Sequence, residues 1–264
     1  EHRRTRSLSD TAGNAVTAPG PTLVAHRGYA GAYPENSLPA LKAAFDLGVV
    51  NVEVDVQVSA DGEPFVLHDA ELTRTAGVPG SALALSAAQL SRLEVNESSR
   101  LGGRFAGTRL PRLAEVLALV ARTDGAHVFV ELKRESIVAR GLEAATGAVV
   151  DAIARLDCAA CTTLISFDDA ALRTARAAGL PGIGWVLPAY DDTTRKIADA
   201  LSPDFLFCDH GKLPAPPEPL WRGPWRWVIY EVTTHALAAR VAAQGATWIE
   251  TMQLDVFVGQ GESL

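Results

Sequence analysis

The chain has 264 residues, 48% hydrophobic and 21% charged, the proportions of an ordinary globular protein with one large domain or two small ones. A net charge of −7 without a basic stripe argues against a nucleic-acid partner, and no window reaches the roughly 18 apolar residues of a membrane span. Three cysteines make no disulfide framework, and Cys158-Ala159-Ala160-Cys161 lacks the second pair a zinc site needs, so it reads as reduced thiols at a helix–strand junction.

Residues 1–21 are polar and Arg-rich with no apolar core, which predicts a disordered lead-in. The cytoplasm is the expected compartment; secretion or a periplasmic location stays open because the chain does not begin with Met. LVAH (23–26) reads as a strand, followed by a helix over 37–48 whose Leu41, Ala44, Phe45 and Leu47 share one face before Gly48. In the next strand, VVNVEVD (49–55), Glu53 and Asp55 alternate with valines and so point to one face. Asp61-Gly62 then separates two alternating runs, a hairpin signal that returns the chain to His68-Asp69. Over 70–110 the pattern is less regular, with Ser86 capping a short helix. Pro111 is expected at the first position of the helix that follows. Next come a strand at 127–133, a long helix near 136–156, a strand at 162–167 and a helix capped by Asp168 or Asp169. A strand at 183–188, a helix near 192–201, a strand at 204–208, a Pro-rich connection, a strand at 226–232, a helix and a strand at 247–250 complete the chain.

Strands alternating with helices imply parallel βαβ units. With the hairpin's second arm outside the sheet, eight strands remain, which predicts an α/β fold of the (β/α)8 TIM-barrel type. The barrel is expected as a single domain over 22–264 with an insertion after strand two, about 56–110. A doubly wound sheet is the competing architecture, but no G-x-G-x-x-G follows strand one.

In such barrels chemistry sits at the C-terminal ends of the strands. His26 and Arg27 end strand one, Glu53 and Asp55 end strand two, Glu131 and Lys133 end strand three, and His68 returns to the same rim. Glu53, Asp55 and Glu131 offer hard oxygen donors suited to one divalent cation, Mg²⁺ or Ca²⁺ with Mn²⁺ also possible. The competing reading pairs these acids with Arg27 and Lys133 in a structural ion network. Cation, Arg and Lys together match a phosphoryl group, and His26 and His68 have the near-neutral chemistry of a general acid and base. His127, His210 and His235 show no such acidic partner pattern and read as structural.

The ordered set His26-Arg27-Gly28, Pro34-Glu35-Asn36-Ser37, Glu53-Val54-Asp55, Asp61-Gly62, His68-Asp69, Leu110-Pro111-Arg112-Leu113, Glu131-Leu132-Lys133 and Ser166-Phe167 resembles the glycerophosphodiester phosphodiesterase family over roughly 22–190. The resemblance implies a barrel that hydrolyses small-molecule glycerophosphodiesters, such as glycerophosphocholine or glycerophosphoethanolamine, to glycerol phosphate and an alcohol. It also implies His26 and His68 as the catalytic pair, Glu53, Asp55 and Glu131 as metal ligands, and Arg27 and Lys133 on the phosphate. Glu35 is expected above strand one, beside these groups or on the ligand, and Asn36 reads equally well as a helix cap. The resemblance further implies attack by the substrate's own glycerol hydroxyl, giving a cyclic phosphate that water opens. A barrel phospholipase acting on lysophospholipid or sphingolipid headgroups, and a non-catalytic phosphodiester-binding protein, are the alternatives.

The last third departs from the family pattern: Trp227-Val228-Ile229-Tyr230 stands where W-T-V-N is common, and Trp248-Ile249-Glu250-Thr251-Met252 where G-I-I-T-D is common. Trp227 is expected at the mouth as a substrate contact. With Trp185, Trp248, Glu231 and Glu250 it would form a cage for a cationic alcohol such as choline. In the competing reading the tryptophans are core and Glu250 pairs with an arginine.

Overall fold

The computed structural model describes residues 20–259, so the lead-in expected over 1–21 lies outside the described residues except for its last two positions. Its sheet contains β1 (Thr22–Ala25), β2 (Asn51–Val58), β3 (Pro64–Val66), β4 (His127–Leu132), β5 (Thr162–Ser166), β6 (Ile183–Val186), β7 (Phe205–Asp209), β8 (Arg226–Tyr230) and β9 (Trp248–Thr251). The spatial order is β1-β9-β8-β7-β6-β5-β4-β2-β3, and β1 also pairs with β2. Eight parallel strands therefore close into a barrel, and β3 lies antiparallel on β2 outside it. The helices that pack around the barrel include α1 (Leu38–Asp46), α2 (Leu113–Val120), α3 (Arg134–Arg140) and α4 (Leu142–Arg155).

Strand period decides what each layer receives. Val52, Val54 and Val56 of β2 turn outward and are fully buried against Leu113 and Leu117 of α2 and Val149 and Ile153 of α4. Inside the barrel, Val24, Phe129, Ile165, Val186, Phe207 and Val228 form a second packed layer. Each fully buried Leu, Ile or Phe adds about 1.5–3 kcal/mol of transfer free energy, so the barrel below the mouth is a solid support. The insertion carries its own small core of Phe65, Leu67, Leu72, Leu90 and Leu110. That core anchors the hairpin arm bearing His68.

Three expectations change in detail. β2 does not stop at Asp55 but continues to Val58, so the first hairpin arm is the barrel strand itself, paired Val56↔Val66 and Val58↔Pro64. The long helix near 136–156 is two helices, because Gly141 sits at φ 86, a left-handed value that breaks the helical path. Pro111 precedes the helix cap instead of opening the helix, and Arg112 is the capping residue. Among the described residues no helix is long and apolar enough to cross a membrane. Cys158 and Cys161 are free thiols at the junction of α4 and β5.

Candidate active site

The site begins at the turn after β1. Arg27 and Gly28 both have positive φ, 56 and 73, and this tight turn aims His26 and Arg27 across the mouth. Gly28 is required there: a Cβ would lie 2.8 Å from the backbone carbon of Ala40. The turned backbone lets Arg27 N donate to Glu53 Oε2 at 3.1 Å.

Seven of the residues singled out from sequence, namely His26, Arg27, Glu53, Asp55, His68, Glu131 and Lys133, line one cavity at the barrel mouth. Its opposite wall is apolar, made by Ile165, Phe167, Val186, Phe207 and Tyr230. Lys133 Nζ donates to Asp55 Oδ1 at 3.1 Å and Glu131 Oε1 at 2.8 Å. Arg27 Nη1 donates to Glu35 Oε1 at 3.1 Å, while its Nε lies 3.0 Å from Asp55 Oδ2 as a charge contact without hydrogen-bond alignment. Asn36 is not the helix cap, a place taken by Ser37; instead its side chain donates to Asp55 Oδ2 at 2.8 Å and accepts from Asp55 N at 3.1 Å.

Electrostatics separate the acids. Burial pushes Asp55 up, but Lys133 and Arg27 outweigh it and hold its carboxyl well below the usual range. Glu53, only 2% exposed, is pushed well up by burial and by the carboxylates of Asp55, Glu250 and Glu131. Glu131 is also raised, by burial that Lys133 only partly offsets. One oxygen from each of Glu53, Asp55 and Glu131 lies within 4.8 Å of the others, and Glu53 Oε1 is buried with no partner. An all-oxygen set with an orphaned carboxylate oxygen fits a hard divalent cation.

Both histidines are oriented through Nδ1. His68 Nδ1 donates to Asp69 Oδ1 at 2.6 Å, and His26 Nδ1 donates to Glu231 Oε2 at 2.6 Å. In each case the contact leaves Nε2 as the free ring nitrogen. Glu231 is itself fixed, since its Oε1 accepts from Met252 N at 2.6 Å. Burial lowers the His26 pKa, but Glu250 and the Glu231 hydrogen bond more than restore it, leaving it above its ordinary value. Arg74 donates to Asp69 Oδ2 at 2.6 Å and to both Glu35 oxygens at 2.8 and 2.7 Å, tying the His68 arm to the β1 turn. Gln57 Nε2 donates to His68 O at 3.0 Å, and Ser136 Oγ donates to Gln57 Oε1 at 2.6 Å.

Arg74, Asp69 and Gln57 are orienting residues with no role expected from sequence, and Asn36 and Glu231, expected as a helix cap and a cage acid, orient Asp55 and His26 instead. Glu35 is buried behind Arg27 and Arg74 and lies outside the cavity lining. Trp227 is not a mouth residue. It faces outward from β8, its Nε1 donates to Trp221 O at 3.0 Å, and its ring packs near Tyr190 and Trp221. Trp248 packs edge-on to Phe129 and Phe205 inside the barrel, and Trp185 donates to Phe167 O at 3.1 Å beside a neighbouring groove. The tryptophan cage is therefore not built. The tryptophans are core, yet among the described residues no arginine pairs with Glu250, whose carboxyl is pushed up to about 7 by burial and by Glu231, against the pull of His26.

The model of the glycerophosphoryl diester phosphodiesterase family matches residues 26–196. A glycerophosphodiester phosphodiesterase of Caldanaerobacter subterraneus subsp. tengcongensis is 34% identical over 121 residues, 46% of this chain and 49% of the relative. Glycerophosphodiester phosphodiesterase 1 of Bos taurus is 35% identical over 97 residues, 37% of this chain and 29% of the relative. The chain thus spans about half the length, or less, of these relatives. Among solved structures, a phosphodiesterase of Oleispira antarctica in complex with the product sn-glycerol-3-phosphate superposes with a TM-score of 0.75 at 23% identity, covering 88% of this chain and 93% of its own. A glycerophosphodiester phosphodiesterase of Agrobacterium tumefaciens gives 0.72 at 21% identity, covering 90% and 99%. These two likenesses establish the shared fold.

Proposed function

From a chain that belongs to the glycerophosphoryl diester phosphodiesterase family, we propose hydrolysis of glycerophosphodiesters, glycerophosphocholine and glycerophosphoethanolamine among them, to glycerol phosphate and an alcohol. The observation that carries this reading is the pair of histidines, each held at Nδ1 by a carboxylate 2.6 Å away, on one cavity with Glu53, Asp55 and Glu131. The catalytic domain is read as 22–264, with the insertion of about 56–110 bringing His68 to the mouth.

In this reading Arg27 and Lys133 place fixed positive charge beside the phosphoryl oxygens, where negative charge grows during transfer. Glu53, Asp55 and Glu131 would hold one Mg²⁺, Ca²⁺ or Mn²⁺, which supplies Lewis-acid stabilisation of the phosphoryl group when bound. One histidine takes the proton from the attacking glycerol hydroxyl through Nε2, and the other gives a proton to the departing alkoxide. The resulting cyclic phosphate is opened by water with the two roles exchanged, which returns both histidines to their starting protonation. The apolar wall of Ile165, Phe167, Val186 and Phe207 excludes water from the opposite side and strengthens these charges.

The test is glycerol phosphate release from glycerophosphocholine after EDTA treatment and after restoring Mg²⁺ or Ca²⁺. Release should vanish with EDTA and return with the cation. His26→Ala and His68→Ala should each lose at least about 10²-fold in rate. A folded protein without release under any cation would end the hydrolase reading.

A further inference from the structure

The mouth holds an acid for which the proposed reaction has no use. Glu250 projects from β9 into the cavity, is 3% exposed, and its Oε1 has no hydrogen-bond partner. Glu53 Oε1, 2% exposed at the residue level, is orphaned in the same way. A buried carboxylate without donors pays a desolvation penalty of several kcal/mol unless a cation meets it. The Glu53–Asp55–Glu131 set accounts for Glu53 but leaves Glu250 unanswered.

A second group converges on that gap. One ligand atom each of His26, Glu53 and Glu250 lies within 4.8 Å of the others, and His26 Nε2 is 3.9 Å from Glu53 Oε2. We propose that His26 Nε2, Glu53 and Glu250 form a second cation site, sharing Glu53 with the all-oxygen set and taking a borderline cation such as Zn²⁺ or Co²⁺. The donor set sorts the two sites chemically. Imidazole with two carboxylates suits zinc-like ions, whereas oxygen-only donors suit Mg²⁺ and Ca²⁺. Glu231 completes the pattern: it accepts from His26 Nδ1 at 2.6 Å, as a carboxylate behind a metal-binding histidine does, and so turns Nε2 toward the gap.

Resting on the hydrolase reading, the site has one consequence for turnover. An Nε2 lone pair given to a cation is lost to proton transfer, so occupancy of this second site inhibits. Zn²⁺ added over saturating Mg²⁺ lowers the rate, and Glu250→Gln raises the half-inhibitory concentration at least about 10-fold relative to its own zinc-free rate.

Binding is tested without catalysis by titrating Co²⁺ into the full chain under saturating Mg²⁺ and following its visible absorption. A band saturating at one equivalent is expected, lost in Glu250→Gln and in His26→Ala and kept in Asp55→Asn. No band, or a band unchanged in a Glu250→Gln variant that melts at the wild-type temperature, overturns the site. A protein that binds Co²⁺ in this manner yet releases no glycerol phosphate keeps the site and refutes the hydrolase reading instead.

Discussion

Glu231→Gln isolates what the distant half of the barrel does for catalysis. Both carboxylate oxygens are engaged at 2.6 Å, Oε2 by His26 Nδ1 and Oε1 by Met252 N. Glutamine keeps the shape and can still accept from Met252, but its amide nitrogen then faces Nδ1. The ring must rotate away or shift its proton to Nε2, the nitrogen that has to be free. The loss is one charge-assisted hydrogen bond, about 1.5–3 kcal/mol, or roughly 10- to 150-fold in rate at about 1.36 kcal/mol per decade. The pH dependence should move as well. Burial lowers the His26 pKa while Glu250 and Glu231 raise it, so removing the Glu231 charge shifts the titration of His26 to lower pH. The assay is kcat/KM for glycerol phosphate release across pH, with His26→Ala as the floor and thermal melting as the check on folding. A folded Glu231→Gln enzyme with wild-type kcat/KM and an unmoved profile, beside an inactive His26→Ala, would refute orientation through this carboxylate.

Lys133→Met should destabilise the metal-free protein by about 3 kcal/mol, because it strips the cation from Asp55 and Glu131, and added Mg²⁺ should recover part of that; equal urea midpoints with and without Mg²⁺ would contradict it. His127 is held down at about 4 by burial and by Arg226, against about 6.5 in the unfolded chain. Below pH 6.5 only the unfolded state takes up this proton, so stability falls as pH drops from about 6.5 toward 4. Partial exposure of the ring limits the loss at pH 5 to about 1–2 kcal/mol. His127→Gln should flatten that slope in urea unfolding at pH 7 and pH 5, and an unchanged slope excludes His127 as its source. Gly28→Ala combines φ 73 with a Cβ 2.8 Å from Ala40 carbon and 2.9 Å from Leu41 nitrogen. It should cost more than about 2 kcal/mol and disturb His26 and Arg27 together, lowering kcat/KM; wild-type stability by melting would show that the turn tolerates a side chain.

The sequence revealed what strand period and local spacing control. Val52, Val54 and Val56 against Glu53 and Asp55 is a period-2 pattern, and the barrel uses it directly, valines out and acids in. Trp227 is misplaced because its expectation rests on the family pattern, whereas strand parity, with Val228 inside the barrel, puts it on the outer face. Glu231 stands four residues on and would share its face in a continued strand, but β8 ends at Tyr230, so Glu231 turns to His26 while Trp227 stays outside. Gly141 carries the break in the long helix through its φ of 86, a backbone choice that the surrounding helical pattern does not announce.

The two histidine supports show where legibility stops. His68 and Asp69 are neighbours in the chain, and their contact closes within a single dipeptide at 2.6 Å. His26 and Glu231 are 205 positions apart and meet only because β9 pairs with β1 and β8 pairs with β9, closing the barrel. The register Val24↔Glu250 and Ala25↔Thr251 that brings these acids to His26 is a property of closure, not of any segment. Local motifs therefore name the two histidines of the proposed acid–base pair, whereas the residues that hold them, Glu231 and Arg74 above all, become visible only when distant strands and the insertion are set side by side. The cation that Glu250 calls for belongs to the same class of information: its three ligands come from β9, β2 and the turn after β1.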